Sequence, residues 1–119
     1  MTETHGAARP GQLSIDHTAI GDIQLLTLRG EIDHSNRDQL RQTLLPGKTA
    51  TRTVLDLSGV TFLDSSGINT LLVAHQSMSD AQGWLRIAGA RDPVLRVLRL
   101  VGLDQLIPCH STVEQATAV

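Results

Sequence analysis

The stretch Val54-Leu-Asp-Leu-Ser-Gly-Val-Thr-Phe-Leu-Asp-Ser-Ser-Gly67 decides how this chain folds. It begins inside Thr53-Val54-Leu55-Asp56-Leu57, a mostly apolar, β-branched run of the length expected of a buried strand. Phe62-Leu63 ends the apolar run, and the small or acidic residues Asp64 to Gly67 turn the chain toward a helix. Ile68, Leu71, Leu72 and His75 then recur at three- and four-residue intervals, the spacing of one helical face, with Gly83 placed to stop it. A buried strand feeding an amphipathic helix is the repeating unit of a parallel sheet, which makes Thr53 to Leu57 the predicted sheet centre.

Toward the C-terminus, Trp84-Leu85-Arg86-Ile87-Ala88 reads as the next strand. Asp92-Pro93 places a capping acid before a proline suited to a first helical turn. Leu95, Leu98 and Val101 form one stripe of this third helix, Arg96 and Arg99 lie off it on the wet face, and Gly102 ends it. Leu106-Ile107 is a short strand candidate, and Ser111-Thr-Val-Glu114 has the spacing of a capping box opening a short terminal helix.

Toward the N-terminus, Leu13 to His17 alternates, Ala19-Ile20-Gly21-Asp22 reads as a turn, and Ile23 to Leu28 as a second strand, so the two should pair antiparallel. Ser35-Asn-Arg-Asp38 offers a capping box for a helix carrying Leu40, Leu44 and Leu45, which Pro46-Gly47 stops. Residues 1–12, small, polar and interrupted by Gly6, Pro10 and Gly11, read as a mobile tail ahead of one domain, 13–119. The predicted class is α/β: a mixed sheet of four to five strands with an N-terminal antiparallel hairpin, about four helices, and right-handed crossovers.

Composition excludes several functions. With 119 residues, 40% of them hydrophobic, the chain can bury a core without a disulfide or metal staple. Ten Lys plus Arg against 12 Asp plus Glu lack the basic excess of a nucleic-acid binder, and one Phe, one Trp and no Tyr give little for bases to stack on. No apolar run approaches the roughly 18 residues of a membrane span. The start Met1-Thr-Glu-Thr-His has neither the basic nor the apolar part of a secretory signal, so a cytoplasmic protein without membrane contact is expected.

The single cysteine, Cys109, has no partner for an internal bridge and reads as a partly buried small hydrophobe. The five histidines, His5, His17, His34, His75 and His110, are scattered, so no metal site is expected, and no cofactor either. Gly47-Lys48-Thr49 resembles the end of a phosphate-cradling loop, but position 42 is Gln where that loop needs Gly, and the tripeptide follows a helix. It reads as a helix stop with a solvated lysine.

The segment Asp64-Ser65-Ser66-Gly67 admits two readings. A cap from Asp64 or a serine, with Gly67 permitting close approach, accounts for every residue type present. The functional reading starts from position, because ligands and partners of such sheets meet the loops at the carboxyl ends of the strands. Gly-x-Ser-x-Gly is absent and no base is paired with the serines, which argues against hydrolysis. A serine at a helix start can instead receive a phosphoryl group, which would there meet free backbone amides and the positive end of the helix dipole. The added charge, about −1.5 to −2, beside Asp64 would be costly in any interface that covers it.

Together with Gly30-Glu-Ile-Asp-His34, the stretch quoted first resembles the bacterial anti-sigma factor antagonists of the STAS domain family. The resemblance runs from about Leu13 to the C-terminus. It implies a non-enzymatic, phosphorylation-switched binding protein: unmodified, it binds an anti-sigma factor with serine kinase activity and so frees the sigma factor. The kinase phosphorylates the turn, and a PP2C-type phosphatase restores it. By position Ser66 is the phosphoacceptor with Ser65 as fallback, and Asp33, His34, Asp64, Ser65, Ser66, Gly67, Ile68 and Asn69 make the partner surface. Asn69 departs from the pattern, since members often carry a small residue there. The family's breadth also admits a scaffold subunit of a sensory or stress-signalling complex, and leaves open whether the protein is a monomer or a weak dimer.

Overall fold

A computed structural model describes residues 12–44 and 52–118. Five strands form one sheet in the order β1-β2-β3-β4-β5: β1 (Leu13–Ile20), β2 (Ile23–Ile32), β3 (Arg52–Leu63), β4 (Trp84–Ala88) and β5 (Cys109–His110). β1 and β2 are antiparallel across the two-residue turn Gly21-Asp22, where Gly21 takes φ +61, the positive value a tight hairpin needs at its first position. β2, β3, β4 and β5 are parallel neighbours, with helices between them: α1 (Arg37–Leu44), α2 (Ser65–Asp80), α3 (Asp92–Leu100) and, after β5, α4 (Val113–Thr117). The mixed sheet, its hairpin and its central third strand match the expectation from the sequence.

The two faces of the sheet are covered unequally. Leu26, Leu28, Leu55, Leu57, Leu85 and Ile87 point to one side and share a cluster with Leu40 and Leu44 of α1, Leu71, Ala74 and Met78 of α2, and Val94 and Leu98 of α3. On the other side a smaller cluster joins Val54 and Ala88 to Ala116 of α4. Each fully buried leucine of the larger cluster contributes about 1.5–3 kcal/mol, so α1, α2 and α3 are held mainly by that face.

The pairing of β2 with β3 is irregular at two points, between Thr27 and Arg29 and between Gly30 and Glu31, and each irregularity adds one residue to β3. The inward positions of β3 accordingly change from Leu55 and Leu57 to Val60 and then Leu63. The result is that Ile32 and Leu63, the last residues of the two strands, stand level.

Several boundaries differ from the sequence reading. α1 starts at Arg37 after Asn36, because Ser35 turns back to Asp33 rather than pairing with Asp38. Arg91, not Asp92, is the residue before α3, and Asp92 and Pro93 lie inside its first turn. The buried stripe of α3 is Val94 and Leu98; Leu95 is half-buried, and Val101 is 54% exposed. Leu106-Ile107 is not a strand: residues Leu103–Gln105 form a 3-10 turn, the Ile107 amide closes on the Leu103 carbonyl at 2.9 Å, and the strand falls at Cys109–His110. The last cap is Thr112, whose hydroxyl accepts from the Gln115 amide, one residue later than the Ser111 and Glu114 box.

α2 ends at Asp80 rather than running to Gly83. Gln82 takes the left-handed turn (φ +66), its amide donating to the Ser79 carbonyl and that of Gly83 to the Met78 carbonyl at 2.7 Å. Of the tail expected over 1–12, residues 1–11 lie outside the described residues, as do Leu45, Pro46-Gly47 and Gly47-Lys48-Thr49; Gln12 is described, and its carbonyl accepts the Glu31 amide at 3.0 Å.

Candidate functional site: the carboxyl rim of strands β2 and β3

The site begins where the two level strands end. Asp33 follows Ile32 and Asp64 follows Leu63, and the Asp64 amide donates to the Ile32 carbonyl at 3.1 Å. Adjacent strands lie about 4.8 Å apart, so the two aspartates leave the sheet side by side. Glu31, half-buried one residue below Ile32, adds a third acid to the same edge.

Asp64 caps α2. Its Oδ1 accepts the amides of Ser66 at 2.8 Å and Gly67 at 3.2 Å, and its carbonyl accepts the Ile68 amide at 3.1 Å. Ser65 is the first helical residue and exposed; Ser66 is the second and half-buried, with its carbonyl accepting the Thr70 hydroxyl at 2.9 Å. Gly67 is buried against the strand ends. A Cβ there would overlap Leu63 Cδ1 and lie 2.6 Å from Ile32 Cγ2, so only glycine lets α2 start this close to the sheet. The amides that sequence reasoning left free for a phosphate at this helix start are therefore largely occupied, two of them by Asp64 itself.

The neighbouring loop is tied differently. The Asp33 carboxylate accepts both the Ser35 amide (2.9 Å) and the Ser35 hydroxyl, and that hydroxyl is the main reason the Asp33 carboxyl titrates below its ordinary value. Asn36, 6% exposed, accepts from the Asp33 amide at 3.1 Å and donates to the Glu31 carbonyl at 2.8 Å. Asn36 holds the loop in place, and sequence reasoning passed over it; the signal available was an Asn directly before the first helical residue, where its side chain can cap and bridge. His34 stands exposed at the apex.

Six of the eight residues named from sequence are contiguous, Asp64 to Asn69, and Asp33 and His34 join them through the sheet edge. Ile68 is half-buried and Asn69 exposed, and Ser65, Asn69 and Val73 (37% exposed) form an outward strip at four-residue spacing along α2. Phe62, the only phenylalanine, is 47% exposed two residues before Asp64 and adds an apolar contact at the rim. Among the described residues no histidine is hydrogen-bonded to the Ser65 or Ser66 hydroxyl. No cluster of three or more His, Cys, Asp or Glu among them is placed to hold a metal, and no helix is long and apolar enough to cross a membrane. Cys109 is half-buried, and burial pushes its thiol up, away from thiolate chemistry.

Comparison with known proteins agrees with this architecture. An anti-sigma F factor antagonist from Paenibacillus polymyxa is 26% identical over 102 residues, 83% of this chain and 86% of that protein. The crystal structure of an anti-sigma factor antagonist from Mycobacterium paratuberculosis superposes with a TM-score of 0.83 at 26% identity, covering 92% of this chain and 95% of that one. The Bacillus cell fate determinant SpoIIAA in its phosphorylated form shares the fold, with a TM-score of 0.69 at 20% identity, over 87% of this chain and 96% of that one. The family model for the STAS domain matches residues 14–116, spanning the sheet, its helices and the rim described above, and the chain belongs to the STAS domain family.

Proposed function

We propose that this protein is an anti-sigma factor antagonist that works by partner binding rather than catalysis. In its unmodified form the rim of Asp33, His34 and Asp64 to Asn69 covers an anti-sigma factor with serine kinase activity, and the sigma factor is released. The kinase moves the γ-phosphoryl group of ATP to Ser66 Oγ, with ADP leaving and the hydroxyl proton passing to the kinase. A PP2C-type phosphatase returns Ser66 by hydrolysis. Ser65 is the fallback acceptor, and the exchange takes place in the cytoplasm without direct contact with nucleic acid or membrane.

The observation that carries this reading is the Asp64-Ser65-Ser66-Gly67 turn. It offers a serine hydroxyl at the start of α2, level with Asp33 just beyond the neighbouring strand, on a surface that carries two acids, exposed polar groups and the exposed Phe62. The name of the Paenibacillus relative supports the same reading. A partner that accepts this rim brings hydrogen-bond donors or cationic groups toward Asp33 and Asp64 and an apolar contact toward Phe62. A phosphate of about −1.5 to −2 charge in that place enters an interface already holding two carboxylates. Burying it unpaired costs several kcal/mol, and 3 kcal/mol is on the order of a hundredfold in affinity.

The test is capture from native extract on immobilised wild-type, Ser66→Ala and Ser66→Asp protein, with mass spectrometry of what is retained and of phosphate on the wild type. An anti-sigma factor held by wild type and Ser66→Ala, lost from Ser66→Asp, with phosphate at residue 66, is the expected result. The same non-kinase partners on all three, with no phosphate, would replace this reading with that of a scaffold subunit.

A further inference from the structure

We infer that Asp64 governs where a phosphate on Ser66 resides: its carboxylate already holds the amides the phosphate would otherwise take, so the new charge stays outside the helix end and faces the partner. The inference rests on the reading of Ser66 as the acceptor and adds a positioning role for its neighbour.

An α-helix begins with amides that have no partner within the helix, and an anion at that end is normally bound by them. In α2 this capacity is largely spent. Asp64 Oδ1 takes the Ser66 and Gly67 amides, and the Asp64 carbonyl takes that of Ile68. Among the described residues only the Ser65 amide of the first turn has no protein acceptor.

The helix cannot start elsewhere to expose new donors. Gly67 is packed on Ile32 and Leu63 without room for a Cβ, and the Asp64 amide is fixed to the Ile32 carbonyl at 3.1 Å. A phosphate on Ser66 Oγ thus shares one turn with a carboxylate that is held in place by two hydrogen bonds and is not neutralised by any cation: no salt bridge to Asp64 exists among the described residues. Phosphorylation leaves the fold intact and adds nearly its full charge to the rim, whereas a cap without charge would let the same phosphate settle onto the helix end and be partly masked.

The test needs no kinase. Phosphoserine is placed at residue 66 of the full chain by cotranslational incorporation, and the second ionisation of the phosphate is followed by phosphorus NMR alongside the Ser66 and Gly67 amide resonances. With Asp64 present the phosphate midpoint is expected above the roughly 6 of an unperturbed phosphoserine, with the two amides unmoved by the phosphate titration. Asp64→Asn keeps a capping carbonyl and removes the charge, and should lower the midpoint by about 0.3–1 pH unit. Asp64→Ser, a second uncharged cap, serves if the Asn variant does not fold. Equal midpoints with and without the carboxylate, or Ser66 and Gly67 amides that follow the phosphate in the wild type, would overturn the inference. Loss of the capture result above with these NMR results intact would overturn the function alone.

Discussion

Two connections leave neighbouring strands at the same level of the sheet, each opening with an aspartate, and they are built on different principles. After β2, Asp33 spends its carboxylate on Ser35, and α1 waits until Arg37, with the buried Asn36 bridging Asp33 and Glu31. After β3, Asp64 caps α2 at once, and Gly67 lets that helix press onto Ile32 and Leu63. The first is a loop closed by side chains of its own, the second a helix start welded to the sheet. A rim of this kind keeps one half rigid enough to present a serine in a defined place, while the other supplies polar contacts beside it.

The sharpest way to break the β3–α2 connection is at the glycine. Gly67→Ala should cost about 3 kcal/mol in urea unfolding, because the added methyl meets two buried side chains rather than solvent. The β2–α1 connection should be weaker at its best point: Asn36→Ala is expected to cost about 2 kcal/mol, since it removes partners from the Asp33 amide and the Glu31 carbonyl together. If Asn36→Ala proves the costlier, the rigid half has been misassigned. Asp64→Ala should cost about 1 kcal/mol as a lost cap and Asp64→Asn only a few tenths, again by urea unfolding.

The smallest effect separates the two aspartates by pH. Asp33 is held below its ordinary titration range chiefly by the Ser35 hydroxyl. A depressed carboxyl contributes stability that is present above the unfolded-state value and is lost as pH falls through the folded one. Ser35→Ala should therefore raise the Asp33 midpoint, read from side-chain carboxyl NMR shifts, and shrink the stability that is lost on acidification. An unchanged midpoint would remove the distinction drawn for this loop.

How far the sequence foretold this depends on the kind of physics involved. Apolar periodicity located β3, β4 and α2, because burial of a face repeats with the geometry of the element. The family resemblance singled out Asp33 and the Asp64–Asn69 segment, and their standing just beyond apolar strands pointed to a common rim. What brings Asp33 level with Asp64 is the pair of irregularities in the β2–β3 ladder, which depend on where two distant segments meet and leave no local pattern. Asn36 escaped notice because its role is a bridge between backbone groups that only the folded loop brings together. Gln82 occupies the left-handed turn that Gly83 was expected to fill, and the Gly83 amide instead closes the motif one residue later. In α3 Leu98 is buried as expected, but Val94 takes the inward place read for Leu95, since both are apolar and only packing chooses between them, and Val101 lies outward.

The most direct test of the account is the affinity of the captured anti-sigma factor for this chain with Ser66 unmodified and with phosphoserine at 66, measured by calorimetry at one ionic strength. A phosphorylation switch at Ser66 requires binding to weaken by about a hundredfold or more once the phosphate is present. Equal affinity for the two forms would contradict it.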